Sequence, residues 1–289
     1  MKYLQSSFSL LITIFMLSSC EKVIELDLPD GEKLIYLDAW INDQPGLQSI
    51  KLLQAVNYQD QAQPQAINNA SIRVTDMSAG KSYDFVFNNG AYVFNPGNSH
   101  SIGVVGHQYK LNVTLNGETF EATDNLSRVT KFDSMTIEYK EGSGDYEKVG
   151  FYAMFHARDL PGGTDYYWFQ TYRNGARNTY LSDMVSIDGS FYEDISDGYE
   201  FIPPFSEGIT SGEKPYQKGD EVKVVMRSLS KNSYRFWEQA INQMASGGIF
   251  SEVLQNVPSN IMNTNQQSKS KIYGWFGTVA ETSISKKVE

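Results

Sequence analysis

Apolar residues fall at every second position through residues 34–123, and Asn-Gly pairs separate the runs. Ile35, Leu37, Ala39 and Ile41 alternate with Tyr36, Asp38 and Trp40. Ile72 and Val74 alternate with Arg73 and Thr75, and Tyr109, Leu111, Val113 and Leu115 with Gln108, Lys110, Asn112 and Thr114. A period of two is that of strands with one buried face. Asn89-Gly90 and Asn116-Gly117 sit between such runs, and Asn-Gly supplies the positive φ angles of a tight hairpin. No stretch of this half has a period of 3.6, so it is expected to be a β-sandwich.

The second half continues the pattern with more aromatic residues. Strands are expected at residues 135–139, 151–156, 166–172 and 222–227, with 275–280 as the last. Asn174-Gly175 marks a hairpin that ends the run Tyr166-Tyr-Trp-Phe-Gln-Thr-Tyr172. One helix is expected, over residues 233–245. Trp237, Ile241 and Met244 lie at i, i+4 and i+7, Ser230 or Ser233 is placed to cap its start, and Gly247-Gly248 to stop it. Its polar face carries little charge, so the stripe is read as packing on a sheet. The fold class is therefore mainly β, with two sandwich-like domains at 34–125 and 126–289 and an amphipathic helix in the second. Residues 56–69, rich in Gln, Asn and Ala, read as a mobile loop.

The N-terminus reads as an address. Residues 8–17 are an apolar run of ten, preceded by Lys2 and closed by Leu17-Ser18-Ser19-Cys20. A bilayer-spanning helix needs about 20 apolar residues, whereas the order of charge, apolar run and small residues is that of an export signal. The ending resembles the lipobox of bacterial lipoproteins. That resemblance implies removal of residues 1–19 and lipid on Cys20, which is the chain's one cysteine. Residues 20–33 carry Glu21, Glu25, Asp27, Asp30 and Glu32 and end near Pro29-Asp30-Gly31, an acidic tether. Such a segment resembles those after the lipid cysteine in surface-exposed lipoproteins of the Bacteroidota.

The formal net charge is −10, and loss of Lys2 with the signal makes it −11. That balance argues against nucleic acid, whose phosphates call for clustered Lys and Arg. A single cysteine excludes a cysteine-rich zinc site. His100, His107 and His156 are too far apart for a helical zinc pair. Gly97-Asn-Ser99-His-Ser101 lacks the second glycine of a nucleophile elbow. No phosphate loop or redox motif is present, and no cofactor is expected. The acidic loop 183–200 offers Asp183, Asp188 and Asp194 as weak calcium candidates, but an EF-hand needs glycine where Asp188 stands. Paired carboxylates there would also suit glycoside hydrolysis, a lesser reading. Tyr167, Trp168, Tyr172, Arg173, Arg177 and Tyr180 are the candidate contacts for a partner or ligand, because aromatic residues and Arg are favoured at interface centres.

Several stretches taken in order carry a wider likeness. They are Cys20-Glu-Lys-Val-Ile-Glu-Leu-Asp-Leu-Pro29, Leu37-Asp-Ala-Trp-Ile41, Gly106 with Tyr109-Lys-Leu111, Ser228-Leu-Ser230, Val257-Pro-Ser-Asn-Ile261 and Gly274-Trp-Phe-Gly277. Together they resemble a lipoprotein family of the Bacteroidota catalogued as domain of unknown function 4249. Residues 262–272, rich in Asn, Gln, Ser and Lys, depart from its pattern. The order of strands in the first half also resembles small prealbumin-like and immunoglobulin-like sandwiches. Asp133-Ser134-Met135 resembles a short O-glycosylation acceptor. The family resemblance implies an outer-membrane lipoprotein, exposed at the cell surface. It implies a non-catalytic accessory protein that works with a TonB-dependent receptor in nutrient uptake. A surface glycan-binding or adhesion module is the other reading.

Overall fold

The computed structural model describes residues 34–56, 63–142, 147–179, 183–193, 196–245 and 257–289. Cys20, the tether, Tyr180, Asp194 and Gly247-Gly248 lie outside them. The fold is mainly β, and residues Lys33–Glu289 form one compact unit. Strands β1 (Ile35–Asn42), β2 (Gln48–Gln54), β3 (Gln65–Ala66), β4 (Ser71–Asp76), β5 (Lys81–Asn88), β6 (Ala91–Phe94), β7 (Gln108–Leu115) and β8 (Glu118–Asn125) follow one another. The turn pairs act as their chemistry requires. Asn89 and Gly90 have φ of 49° and 86°, and Asn116 and Gly117 have 51° and 82°. The expected loop at 56–69 holds β3, which pairs with β2.

The second half contributes β9 (Phe132–Lys140), β10 (Gly150–Ala157), β11 (Tyr166–Arg173), β12 (Ala176–Arg177), β13 (Met184–Ile187) and helix α1 (Pro203–Glu207). Then come β14 (Glu221–Leu229), helix α2 (Lys231–Ala245), β15 (Met262–Asn263), β16 (Ile272–Val279) and β17 (Glu281–Lys287). The expected last strand is thus β16, and β17 follows it. Helix α2 starts at Lys231 because Ser230 accepts from the Ser233 N–H at 3.2 Å. Among the described residues no helix is long and apolar enough to cross a membrane.

The sheets cross the boundary at 125. A ten-stranded sheet runs β15-β8-β7-β4-β5-β6-β2-β1-β16, with β3 on β2, so the chain returns to the first half to complete it. Strand β16 lies parallel to β1, with Ile35 opposite Ile272 and Ala39 opposite Phe276. The sheet curls until its ends meet, and Thr278 of β16 donates from its N–H to Asp124 of β8 at 2.8 Å. Inside lie Leu37, Ile50, Leu111 and Val113 beside Ile261, Ile272 and Phe276. A second sheet runs β12-β11-β14-β17, with β13 on β11, and β9 and β10 form a hairpin over its core.

Two glycines set the seam. Gly274 has a φ of 100° and passes so close to the Leu37 carbonyl that no side chain fits. Gly277 lies under the ring of Trp40, and a Cβ there would enter that ring. Trp40, Trp168 and Trp237 stack with centroids 4.4–5.9 Å apart. Phe236 links them to Trp275 at 4.7 Å. All four tryptophans of the chain therefore meet where β1, β11, α2 and β16 converge.

Candidate functional site

The aromatic run of β11 is buried, not displayed. Alternation predicts half of it exposed, but both faces are covered. Tyr167 and Phe169 enter one core, and Tyr166 and Trp168 another beside α2. Tyr167 is fully enclosed and Trp168 nearly so, which removes both as partner contacts. Tyr172 is half-buried and its hydroxyl donates to the Gln170 side chain at 3.2 Å. Arg173 donates to the Lys214 carbonyl at 2.6 Å and lies over the Tyr216 ring at 4.4 Å. Arg177 is exposed and pairs with Asp183 at 2.5 Å. These side chains hold the sheet together and do not converge on one surface.

The acidic loop is likewise tied down. Asp183 accepts from Trp168 Nε1 at 2.9 Å as well as from Arg177. Glu193 accepts from the Tyr166 hydroxyl at 2.9 Å and from Lys231 at 2.8 Å. Lys231 and Tyr166 hold the Glu193 carboxyl below its ordinary value. Asp197 accepts from the Gly162 N–H at 2.9 Å, and Glu200 faces Arg158 at 3.5 Å. Each of these described carboxylates meets a donor of the fold. Of the calcium candidates, Asp183 and Asp188 are thus apart in their partners.

Asp188 joins two carboxylates that the loop reading missed, Asp159 and Asp165. One oxygen from each lies within 4.8 Å of the others, and all three residues are buried. The chain builds this from a turn. Asp188 has a φ of 49°, and its N–H donates to the Asp165 carbonyl at 2.8 Å. Its Oδ1 accepts from the Asp165 N–H at 2.5 Å. Asp159 accepts from the Tyr167 hydroxyl at 2.6 Å and from the Gly198 N–H at 3.1 Å. Arg128 reaches Asp165 at 2.7 Å and also donates to the Leu160 carbonyl at 3.0 Å. Burial raises the Asp165 carboxyl above its usual value, and Arg128 opposes that rise. Burial, helped by Asp159, raises the Tyr167 hydroxyl far above its usual value, so it stays a donor. Oxygens at this spacing suit a hard cation bound at about 2.3–2.6 Å. The sequence signal was present in Asp159-Leu-Pro-Gly-Gly-Thr-Asp165, a turn flanked by carboxylates.

The histidines also have structural partners. His107 Nδ1 lies 2.9 Å from Asp76, His156 Nε2 lies 3.1 Å from Thr136, and His100 Nδ1 lies 3.0 Å from Ser99. Ser134 of the acceptor-like triplet is exposed on β9, and Met135 beside it is buried.

The family model described as Domain of unknown function (DUF4249) matches residues 21–285. The chain belongs to this family. No curated protein and no solved structure matches it. The described stretches that carry the likeness lie along the seam. Gly274 lies against Leu37 and Gly277 against Trp40 there, Asn260 pairs with Phe276, and Ser228 donates to the Ser127 carbonyl at 2.7 Å. Tyr109 donates to the Ile102 carbonyl at 2.9 Å and closes the neighbouring loop.

Proposed function

We propose that this chain is a lipid-anchored outer-membrane protein that binds and does not catalyse, working beside a TonB-dependent transporter in nutrient uptake. The apolar run at residues 8–17 ending in Leu17-Ser18-Ser19-Cys20 carries the reading. A thioether-linked lipid contributes about 0.8 kcal/mol per buried methylene, and two or more acyl chains hold a protein stably in its leaflet. The acidic tether would keep the folded unit off the membrane surface.

The placement of the reactive side chains supports a binding role. The described acids of the loop, the triad of aspartates and the three histidines are engaged by the fold's own donors and acceptors. A rigid β scaffold built this way suits holding a partner or ligand in its loops and clefts.

Fractionation and native purification test the reading. The wild-type chain should sediment with outer membranes and release a lipidated N-terminal peptide that begins at Cys20. Cys20→Ser should appear in the soluble fraction. Purification in mild detergent should bring down a TonB-dependent barrel, identified by mass spectrometry. An unmodified Cys20 in soluble material would overturn the anchor, and recovery without any barrel would overturn the association.

A further inference from the structure

The segment rich in Asn, Gln, Ser and Lys at residues 262–272 builds the wall of a cleft. Residues within 257–273 line an open cleft of about 650 Å³ at the edge of the first sheet, a size within the range of small-molecule sites, about 300–1,000 Å³. Its wall is firmly backed. Strand β15 pairs with β8, and Thr264 donates from its N–H and its hydroxyl to the Thr119 carbonyl at 2.9 and 3.0 Å. The turn then braces itself. The Asn265 N–H donates to the Asn263 side chain at 2.9 Å, and the Ser270 N–H to the Ser268 hydroxyl at 3.0 Å. Glu118 beside it is bonded by the Ser268, Ser270 and Asn263 side chains. The floor is apolar, since Ile261 and Ile272 are buried.

The lining decides the chemistry. Gln266 presents its amide on an exposed turn, Asn265 keeps its amide N–H groups while its oxygen accepts from the Gln267 N–H at 3.1 Å, Lys271 is the one Lys, Arg, Asp or Glu among the described lining residues, and Tyr273, Met262 and Pro258 supply apolar surface. A polyanion would call for several cations. A purely apolar ligand would strip water from the amides and return nothing. A neutral, hydroxyl-rich ligand meets both demands, with its hydroxyls on the amides and its C–H faces on Tyr273 and Met262. The geometry points to this cleft as a binding site for a short neutral oligosaccharide. This deepens the binding role proposed above and rests on it.

Calorimetric titration of the full mature chain, carrying Cys20→Ser for solubility, tests the site. The probes are maltotriose, cellotriose, xylotriose and mannotriose. At least one should bind, and Gln266→Ala and Tyr273→Leu should each weaken it about tenfold or more, the loss expected for one hydrogen-bonding or stacking group. Gln266 lies in an exposed turn, so that variant keeps its fold even if Tyr273→Leu does not, and unchanged melting confirms it. Tyr192→Ala, in the acidic loop, should bind as the parent does. No binding by any of the four sugars, or binding that survives Gln266→Ala, overturns the site. The membrane and barrel experiments are independent of this titration, so the failure of one is distinguishable from the failure of the other.

Discussion

Asp124 is a carboxylic acid enclosed by hydroxyls and amides. Its Oδ2 accepts from the Thr278 N–H at 2.8 Å and from the Ser233 hydroxyl at 3.2 Å, and Ser233 in turn accepts from Trp275 Nε1 at 2.8 Å. Burial raises its carboxyl above the ordinary value, and the hydrogen bonds from Ser230, Thr278, Asn125 and Ser233 only partly oppose that. The folded chain therefore keeps a proton at pH values where the unfolded chain, titrating at about 3.9, has lost it. More protons bound in the native state means that stability falls as pH rises from the unfolded value through the folded one. Asp124→Asn keeps an accepting oxygen and has no charge to bury. It should remove this decline and be at least as stable as the parent at neutral pH. Asp124→Ala leaves the Thr278 N–H without its acceptor and should cost about 1–3 kcal/mol. Urea unfolding from about pH 4 to about pH 8 reads both effects. An unchanged pH slope in Asp124→Asn would show that the carboxyl is not the group responsible.

At the scale of elements, the outer edge of β16 shows how the fold stops a sheet. A free edge invites pairing with another chain. Here Asn260 acts as a one-residue strand, with its amide donating to the Phe276 carbonyl at 2.7 Å and its oxygen accepting from the Phe276 N–H at 3.0 Å. Ser259 covers the Ile272 carbonyl at 3.1 Å. Asn260→Ala should cost about 1–3 kcal/mol for the unpaired backbone groups and raise aggregation on heating, seen by light scattering. Asn260→Asp, which keeps only the acceptor, should fall between the two. The strands themselves were legible, because a period of two reports one buried face and Asn-Gly reports a tight turn. The cap of α2 was legible in Ser230 for the same local reason. What could not be read is what depends on partners far along the chain. No periodicity in Trp275-Phe276 says that it lies parallel to Asp38-Ala39. Alternation in β11 misjudged exposure because α2 covers the face that a lone sheet would show to water. Asp188 was read with its neighbours in the loop, whereas the turn at residues 187–190 carries it to Asp159 and Asp165.

For the whole molecule, the crossing of strands decides what can fold alone. Residues 34–125 have the look of an independent sandwich, with alternating strands and two Asn-Gly turn pairs. Yet their core is finished by Leu126, Ile261, Ile272, Phe276 and Ala280, which arrive from the other half. Burying Ile261, Ile272 and Phe276 contributes about 1.5–3 kcal/mol each, roughly 5–9 kcal/mol together, against a typical domain stability of about 5–15 kcal/mol. Loss of β16 also strips β1 of its parallel partner and opens the edge between β1 and β8. The other half suffers in kind, since Trp40 leaves the tryptophan stack at Trp168 and Trp237. A fragment of residues 34–125 should therefore show no cooperative unfolding and poorly dispersed amide resonances. A chain of residues 34–289 should unfold in one transition, with circular dichroism and tryptophan fluorescence coincident. A well-dispersed spectrum from residues 34–125 alone would mean that the first sheet closes without β16, and that the seam joins two finished domains instead of completing one.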